Sequence, residues 1–172
     1  MDSAQVIEGV IAEGLKPAGY RKRARNWHRV SGAGVYQVVN LQRSSWGGGS
    51  CYLNLGWDPS VGGKAFQSEH QCLARIRAEQ TGVIPAIALT RSSGEALEVP
   101  GINLLDSGVA EHFSEDEFRR QVRQTVVEPV AAFMESTQHM QDLVPLFTRH
   151  PGWATLHLRD YMRTLGAELP RL

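Results

Sequence analysis

Asn40, Gln42 and Asn54 carry side-chain amides among residues that favour strands, and Tyr36 and Tyr52 share their alternation. An amide both donates and accepts hydrogen bonds, so such a set suits recognition of peptide groups, bases or sugars. It supplies neither a nucleophile nor a proton shuttle. The same residues also fit a plainer description, the solvated side of a sheet that is buried on one face only. On either description the set is at most a binding face.

Two strands must place these amides. Side chains alternate along a strand, so Cys51, Leu53, Leu55 and Trp57 share one face while Tyr52, Asn54 and Gly56 share the other. On the preceding strand, Val35 to Ser44, the apolar set is Val35, Val39 and Leu41. Tyr36, Val38, Asn40 and Gln42 then look the other way. "SWGGGS" joins the two strands, its glycines making a turn that presents Trp46. A first strand is expected to begin over Tyr20 to Arg23 and to be clearest from Arg25 to Val30, with "SGAG" as the following turn. "HQCLARIRAEQ" fits both helix and strand. The alternation of Cys72, Ala74 and Ile76 favours a strand, and "VIPAIALT" reads as a further strand or an irregular stretch.

Helices frame this sheet. Val6, Ile7, Val10, Ile11 and Leu15 recur at helical spacing, with Asp2 or Ser3 as cap and Pro17 and Gly19 as stop. "SEDE", Ser114 to Glu117, is a capping box opening a helix through Phe118, Val122, Val126, Val130 and Phe133. Pro129 inside that run predicts a kink or a break. Further helices are expected over Gln138 to Thr148 and Trp153 to Leu165. The order helix, strand meander, helices predicts an α+β fold: an antiparallel sheet of three to five strands with C-terminal helices packed on it. At 172 residues a single domain is expected, sheet-forming over about 20–90 and helical over about 114–169.

With these elements in place, the chain resembles a bacterial domain-of-unknown-function family, number 4304. The residues that carry the resemblance are Leu15, Lys16, Gly19 and Tyr20 at the helix end, then Trp27. Asn40, Gln42, Arg43 and Ser44 follow on one strand, and Asn54 and Gly56 on the next. The likeness runs over roughly residues 10 to 58, with Tyr20 where the family more usually has Phe. It implies the fold and assigns no activity.

Other chemistry has little local support. Cys51 and Cys72 are too few for a disulfide framework and lack metal-ligand spacing. Glu69, His70 and Cys72 are neighbours in sequence, which does not make a thiol–histidine dyad, and a lone cysteine more often packs as a small hydrophobe. None of the six histidines forms a His-x-x-x-His pair. "WGGGS" lacks the lysine of a phosphate-binding loop. No catalytic residue, metal site or cofactor is therefore expected.

The formal net charge of zero hides two blocks. Lys16, Arg21, Lys22, Arg23, Arg25 and Arg29 lie together with no acid between them. Glu95, Glu98, Asp106, Glu111, Glu115, Asp116 and Glu117 lie together with no Lys or Arg between them. Arg21, Arg23, Arg25 and Arg29, interleaved with Tyr20, Trp27 and His28, have the composition of a nucleic-acid-tracking strand, but alternation splits them between two faces. Glu111, Glu115 and Asp116 suit the covering of a cationic partner. No apolar run reaches the roughly 20 residues of a membrane helix, and the N-terminus lacks the pattern of a signal peptide, so a cytoplasmic protein is expected. The leading expectation is a non-catalytic protein-binding module, in one version an immunity protein that neutralises a toxin. The alternatives are a small-ligand binder or enzyme with a pocket between sheet and helices, and a nucleic-acid binder.

Overall fold

The computed structural model describes residues 2–44, 50–59, 66–87, 89–90, 96–97, 102–106 and 108–171, and for 89–90 and 96–97 the backbone alone. The expected turn around Trp46, the loop at Gly62 and Gly63, and the acids Glu95 and Glu98 lie outside the described residues.

Helix α1 spans Ser3–Leu15, with the Asp2 carboxylate accepting from the Gln5 amide at its start. It tightens into a 3-10 turn at Lys16–Ala18, and Gly19 at φ +82° reverses the chain. Five strands follow: β1 (Arg21–Arg23), β2 (Asn26–Val30), β3 (Tyr36–Arg43), β4 (Cys51–Asp58) and β5 (Ala74–Arg77). They pair antiparallel in the order of the chain, β1-β2-β3-β4-β5, and β6 (Leu89–Thr90) with β7 (Ala96–Leu97) forms a separate two-stranded ribbon. The meander is the predicted one, with one correction at its start. Tyr20 to Val30 is no single strand but a hairpin, folded back at Ala24-Arg25 so that Arg23 faces Asn26.

The helical end comprises α2 (Glu115–Val122), α3 (Glu128–Ser136), α4 (Val144–Arg149) and α5 (Leu156–Thr164). Ser114 caps α2 as the sequence requires, its hydroxyl accepting from the Glu117 amide at 3.3 Å. Pro129 does not break the helix. A π turn over Arg123–Val127 joins α2 to α3 and widens the helix just before the proline, where an α turn would press the ring against a carbonyl four residues back. The turn also brings both Val126 and Val127 into the core.

One sheet face carries that core. Trp27, Val39, Leu41, Leu53, Leu55, Trp57, Ala74 and Ile76 pack with Ile7, Val10 and Ile11 of α1 and with Phe118, Val122 and Val130. Gly14 lets α1 approach closely, since a Cβ there would collide with Val127 Cγ1. Glu13 clasps the two helices from outside, accepting from Arg119 at 2.7 Å and from Arg123 at 2.8 Å. No helix among the described residues is long and apolar enough to cross a membrane.

Candidate functional site

The opposite face of the sheet is where the polar side chains collect. Cross-strand register aligns Arg23 with Asn26, Asn26 with Asn40, Asn40 with Asn54, and Asn54 with Arg77. One row of five residues thus crosses the whole sheet, an arginine on each edge strand and three asparagines between. The asparagines are bonded to one another. Asn54 Nδ2 donates to Asn40 Oδ1 and to Gln42 Oε1, both at 3.1 Å, and Asn40 Nδ2 donates to Asn26 Oδ1 at 3.0 Å. Among the described residues, the Asn54 carbonyl oxygen and the Gln42 amino group keep unused hydrogen-bonding capacity.

Both arginines of the row are held by rings. The Arg77 guanidinium lies 4.2 Å over the Tyr52 ring, and that of Arg23 lies 4.7 Å over Phe66. The next row, Arg21, His28, Val38, Gly56 and Arg75, also ends in arginine on both edges. Its centre is covered by the segment 66–72. Phe66 meets His28 edge-on at 5.1 Å, the Gln67 carbonyl accepts from the Tyr36 hydroxyl at 2.7 Å, and Cys72 packs with Tyr36 and Val38. This strap needs Gly56, where a Cβ would meet Cys72 Sγ at 2.9 Å.

Strap and amide row enclose a cleft of about 450 Å³, lined by Asn40, Gln42, Asn54, Ser68, Glu69, His70, Arg75, Arg77 and Trp153. Burial raises the Glu69 carboxyl above its ordinary value, against the pull of Arg75, His70 and Arg77. His28 is pushed the other way, lowered by burial and by Arg21 and Arg23. A wider hollow of about 800 Å³ lies under the C-terminal tail, but its Arg159 is spent on the carbonyls of Pro151, Ala154 and Leu169.

The structure therefore gathers Asn40, Gln42, Asn54 and Tyr52, and leaves Tyr36 apart beneath the strap. The cleft is walled by the strap and not by α2 and α3, which pack on the other face. Of the basic residues, Arg21 and Arg23 share the amide face. Arg25 sits in the hairpin loop 3.4 Å from Glu8, and Arg29 turns inward to Gln37, the Ala18 carbonyl and Glu135. Glu111, Glu115 and Asp116 are exposed, the last two in the first turn of α2, where the helix dipole favours carboxylates. Cys72 lies on the amide face, not with Ala74 and Ile76 as alternation suggests, because the strand begins only at Ala74. Burial pushes both thiols up, the reverse of an activated thiolate. Among the described residues no cluster of three or more His, Cys, Asp or Glu side chains is arranged to hold a metal ion.

Sequence reasoning missed three features. Arg75 and Arg77 were legible in "ARIR", where Ala74 and Ile76 point in and the arginines must point out. The strap carried no local signal, since its seating rests on residues distant in sequence, such as Tyr36, 31 residues before Gln67. Gln37 was passed over on the core face; it is fully buried and fully bonded. Its Nε2 donates to the Met134 and Thr137 carbonyls at 2.7 and 2.8 Å, and its Oε1 accepts from Arg29 at 2.8 Å.

No curated protein and no solved structure matches this chain. A protein family does, over residues 11–147, which carries the likeness well past the paired strands and through α3 into α4. The chain belongs to the family described as Domain of unknown function (DUF4304).

Proposed function

We propose that this chain is a non-catalytic module that binds another protein, and that the open sheet face is its working surface. The observation that supports this reading is the amide row held between two ring-stacked arginines, with hydrogen-bonding capacity left over. Preset amides and oriented guanidinium groups favour binding, because little side-chain freedom remains to be lost. Of the nucleophiles near the cleft, Cys72 is buried with its thiol pushed up, and the Ser68 hydroxyl lies 3.1 Å from both Gln71 Oε1 and His70 Nδ1.

A second surface supports a narrower version. Glu111, Glu115 and Asp116 stand exposed, and none of them forms an ion pair with another described residue. In that version the protein is a bacterial, cytoplasmic immunity protein whose carboxylates cover a cationic toxin.

Affinity capture from the native cell lysate separates the two surfaces. Three baits are used: the unaltered protein, the double variant Gln42→Ala with Arg77→Ala, and a charge reversal at Glu111, Glu115 and Asp116. A stoichiometric protein partner that is lost from the sheet-face variant alone is the expected result. Loss only from the charge reversal moves the working surface to the acids. A clean lane from all three baits refutes protein binding.

A further inference from the structure

The row Arg23, Asn26, Asn40, Asn54 and Arg77 has a length and a charge pattern that specify more than a binding face. From them we infer that the groove beside the strap takes an extended acidic peptide segment of a partner protein. The segment lies across the strands, with one carboxylate at each edge of the sheet. This rests on the protein-binding reading above and names the partner's chemistry.

Three observations lead there. The first is charge. Each edge strand presents two arginines to this face, Arg21 and Arg23 on one side and Arg75 and Arg77 on the other, while the floor between them is neutral amide. A chain with acids at two places and ordinary peptide groups between them matches that pattern. A phosphodiester, charged at every step, does not. Glu69 also lines this cleft, close to Arg75 and Arg77, and burial raises its carboxyl above the ordinary value.

The second is the state of the rings. Single-stranded nucleic acid binds such sheets by stacking bases on open aromatic faces. Here the Tyr52 face is covered by Arg77, Phe66 by Arg23, and Tyr36 stacks with His28 at 5.7 Å. Among the described residues of this sheet face, each ring is already stacked. Trp153, also lining the cleft, suits an apolar side chain of the peptide.

The third is dimension. Four inter-strand steps of about 4.8 Å span about 19 Å, and an extended chain advances about 3.4 Å per residue. The two carboxylates must therefore stand about five or six residues apart. Guanidinium groups fixed by stacking bind carboxylates in a defined geometry, so the spacing is selective.

The test is fluorescence anisotropy with fluorescein-labelled peptides that carry two aspartates separated by one to nine glycine and serine residues. Affinity should peak at four or five intervening residues. Arg23→Ala and Arg77→Ala should each weaken that peptide about tenfold and flatten the dependence on spacing, while Arg77→Lys retains part of the affinity. Circular dichroism and thermal melts of the same variants establish that each is folded. Affinity that follows the number of aspartates whatever their spacing overturns the inference, and so does the absence of binding at millimolar peptide. A labelled ten-nucleotide oligouridine that binds more tightly than every peptide, and is lost in the same variants, assigns the groove to nucleic acid instead. Should the peptides fail while lysate capture still depends on Arg77, protein recognition stands and only the extended peptide falls. Should capture also be indifferent to Arg77, both fall.

Discussion

Gln37 ties the two halves of the protein together through a single side chain. All of its hydrogen-bonding partners are buried or half-buried, and two of them are carbonyls at the C-terminal end of α3, that of Thr137 and that of Met134, which also accepts from the Thr137 amide and hydroxyl. Gln37→Leu keeps the volume and strips those carbonyls and Arg29 of a partner. It should cost about 2 kcal/mol in urea unfolding, since the buried Thr137 carbonyl loses its side-chain donor while Met134 and Arg29 keep other partners. A loss under about 1 kcal/mol would mean that the chain re-forms these bonds elsewhere. Ala24 is the converse case, a residue whose replacement should help. It holds φ +51° in the two-residue hairpin loop, a left-handed value that costs an L-residue about 1 kcal/mol and glycine much less. Ala24→Gly should raise the melting temperature by a few degrees; a fall would show that the added freedom of the unfolded chain outweighs the relief. Neither effect was legible in the sequence. Gln37 sat on a face read as apolar, and its key partners lie 97 and 100 residues away. Period-two alternation, by contrast, is a local property. That is why Asn40, Gln42 and Asn54 were placed on one face correctly from the sequence.

Among the elements, the strap has the least regular structure and the most specific seating. It crosses the sheet from Phe66 near β1 and β2 to Cys72 over β3 and β4, and the bare backbone of Gly56 is what admits it. Gly56→Ala sets a methyl against Cys72 and Val38 together. The strap should lift, and Cys72 should react faster with a thiol reagent in a Cys51→Ala background, where it is the sole thiol. An unchanged labelling rate would show that Cys72 finds room by rotating in place. The amide row would lose one wall but keep its register, so peptide binding should weaken without the sheet unfolding. The helices were easier to read than this element. Their caps and apolar spacing lie within a turn or two of each other, whereas the π turn before Pro129 depends on what α1 and the sheet require of Val126 and Val127.

For the molecule as a whole, stability should depend on pH through its buried carboxyls. Glu79 accepts from the Leu53 amide at 3.2 Å, where it extends the edge of β4, and its other oxygen is buried without a hydrogen-bond partner among the described residues. Burial raises its folded-state value above the ordinary 4.5. The folded protein then holds the proton to higher pH than the unfolded chain does. Its contribution is complete below pH 4.5 and is lost as pH rises through the folded value. Glu79→Gln imitates the protonated carboxyl. It should raise the urea midpoint at pH 7 and leave it nearly unchanged at pH 4. An equal gain at both values would trace the effect to packing. Glu69 is shifted in the same direction, so the variant reduces the slope without removing it.

The strand order has a consequence for how the chain comes together. Each strand of the large sheet pairs with the one before it, so no pairing waits for a distant segment. Loop closure is then cheap at every step, and such local connectivity favours rapid folding. On the ribosome, β5 emerges well before α2. The hairpins can therefore zip in succession while the helical end is still being made, with α1 alone to shield one apolar face. The other face needs no later partner, because its amides and arginines already keep it in water. A growing chain that exposes this polar side is protected against sticking to its neighbours at the stage when half of its core is still missing.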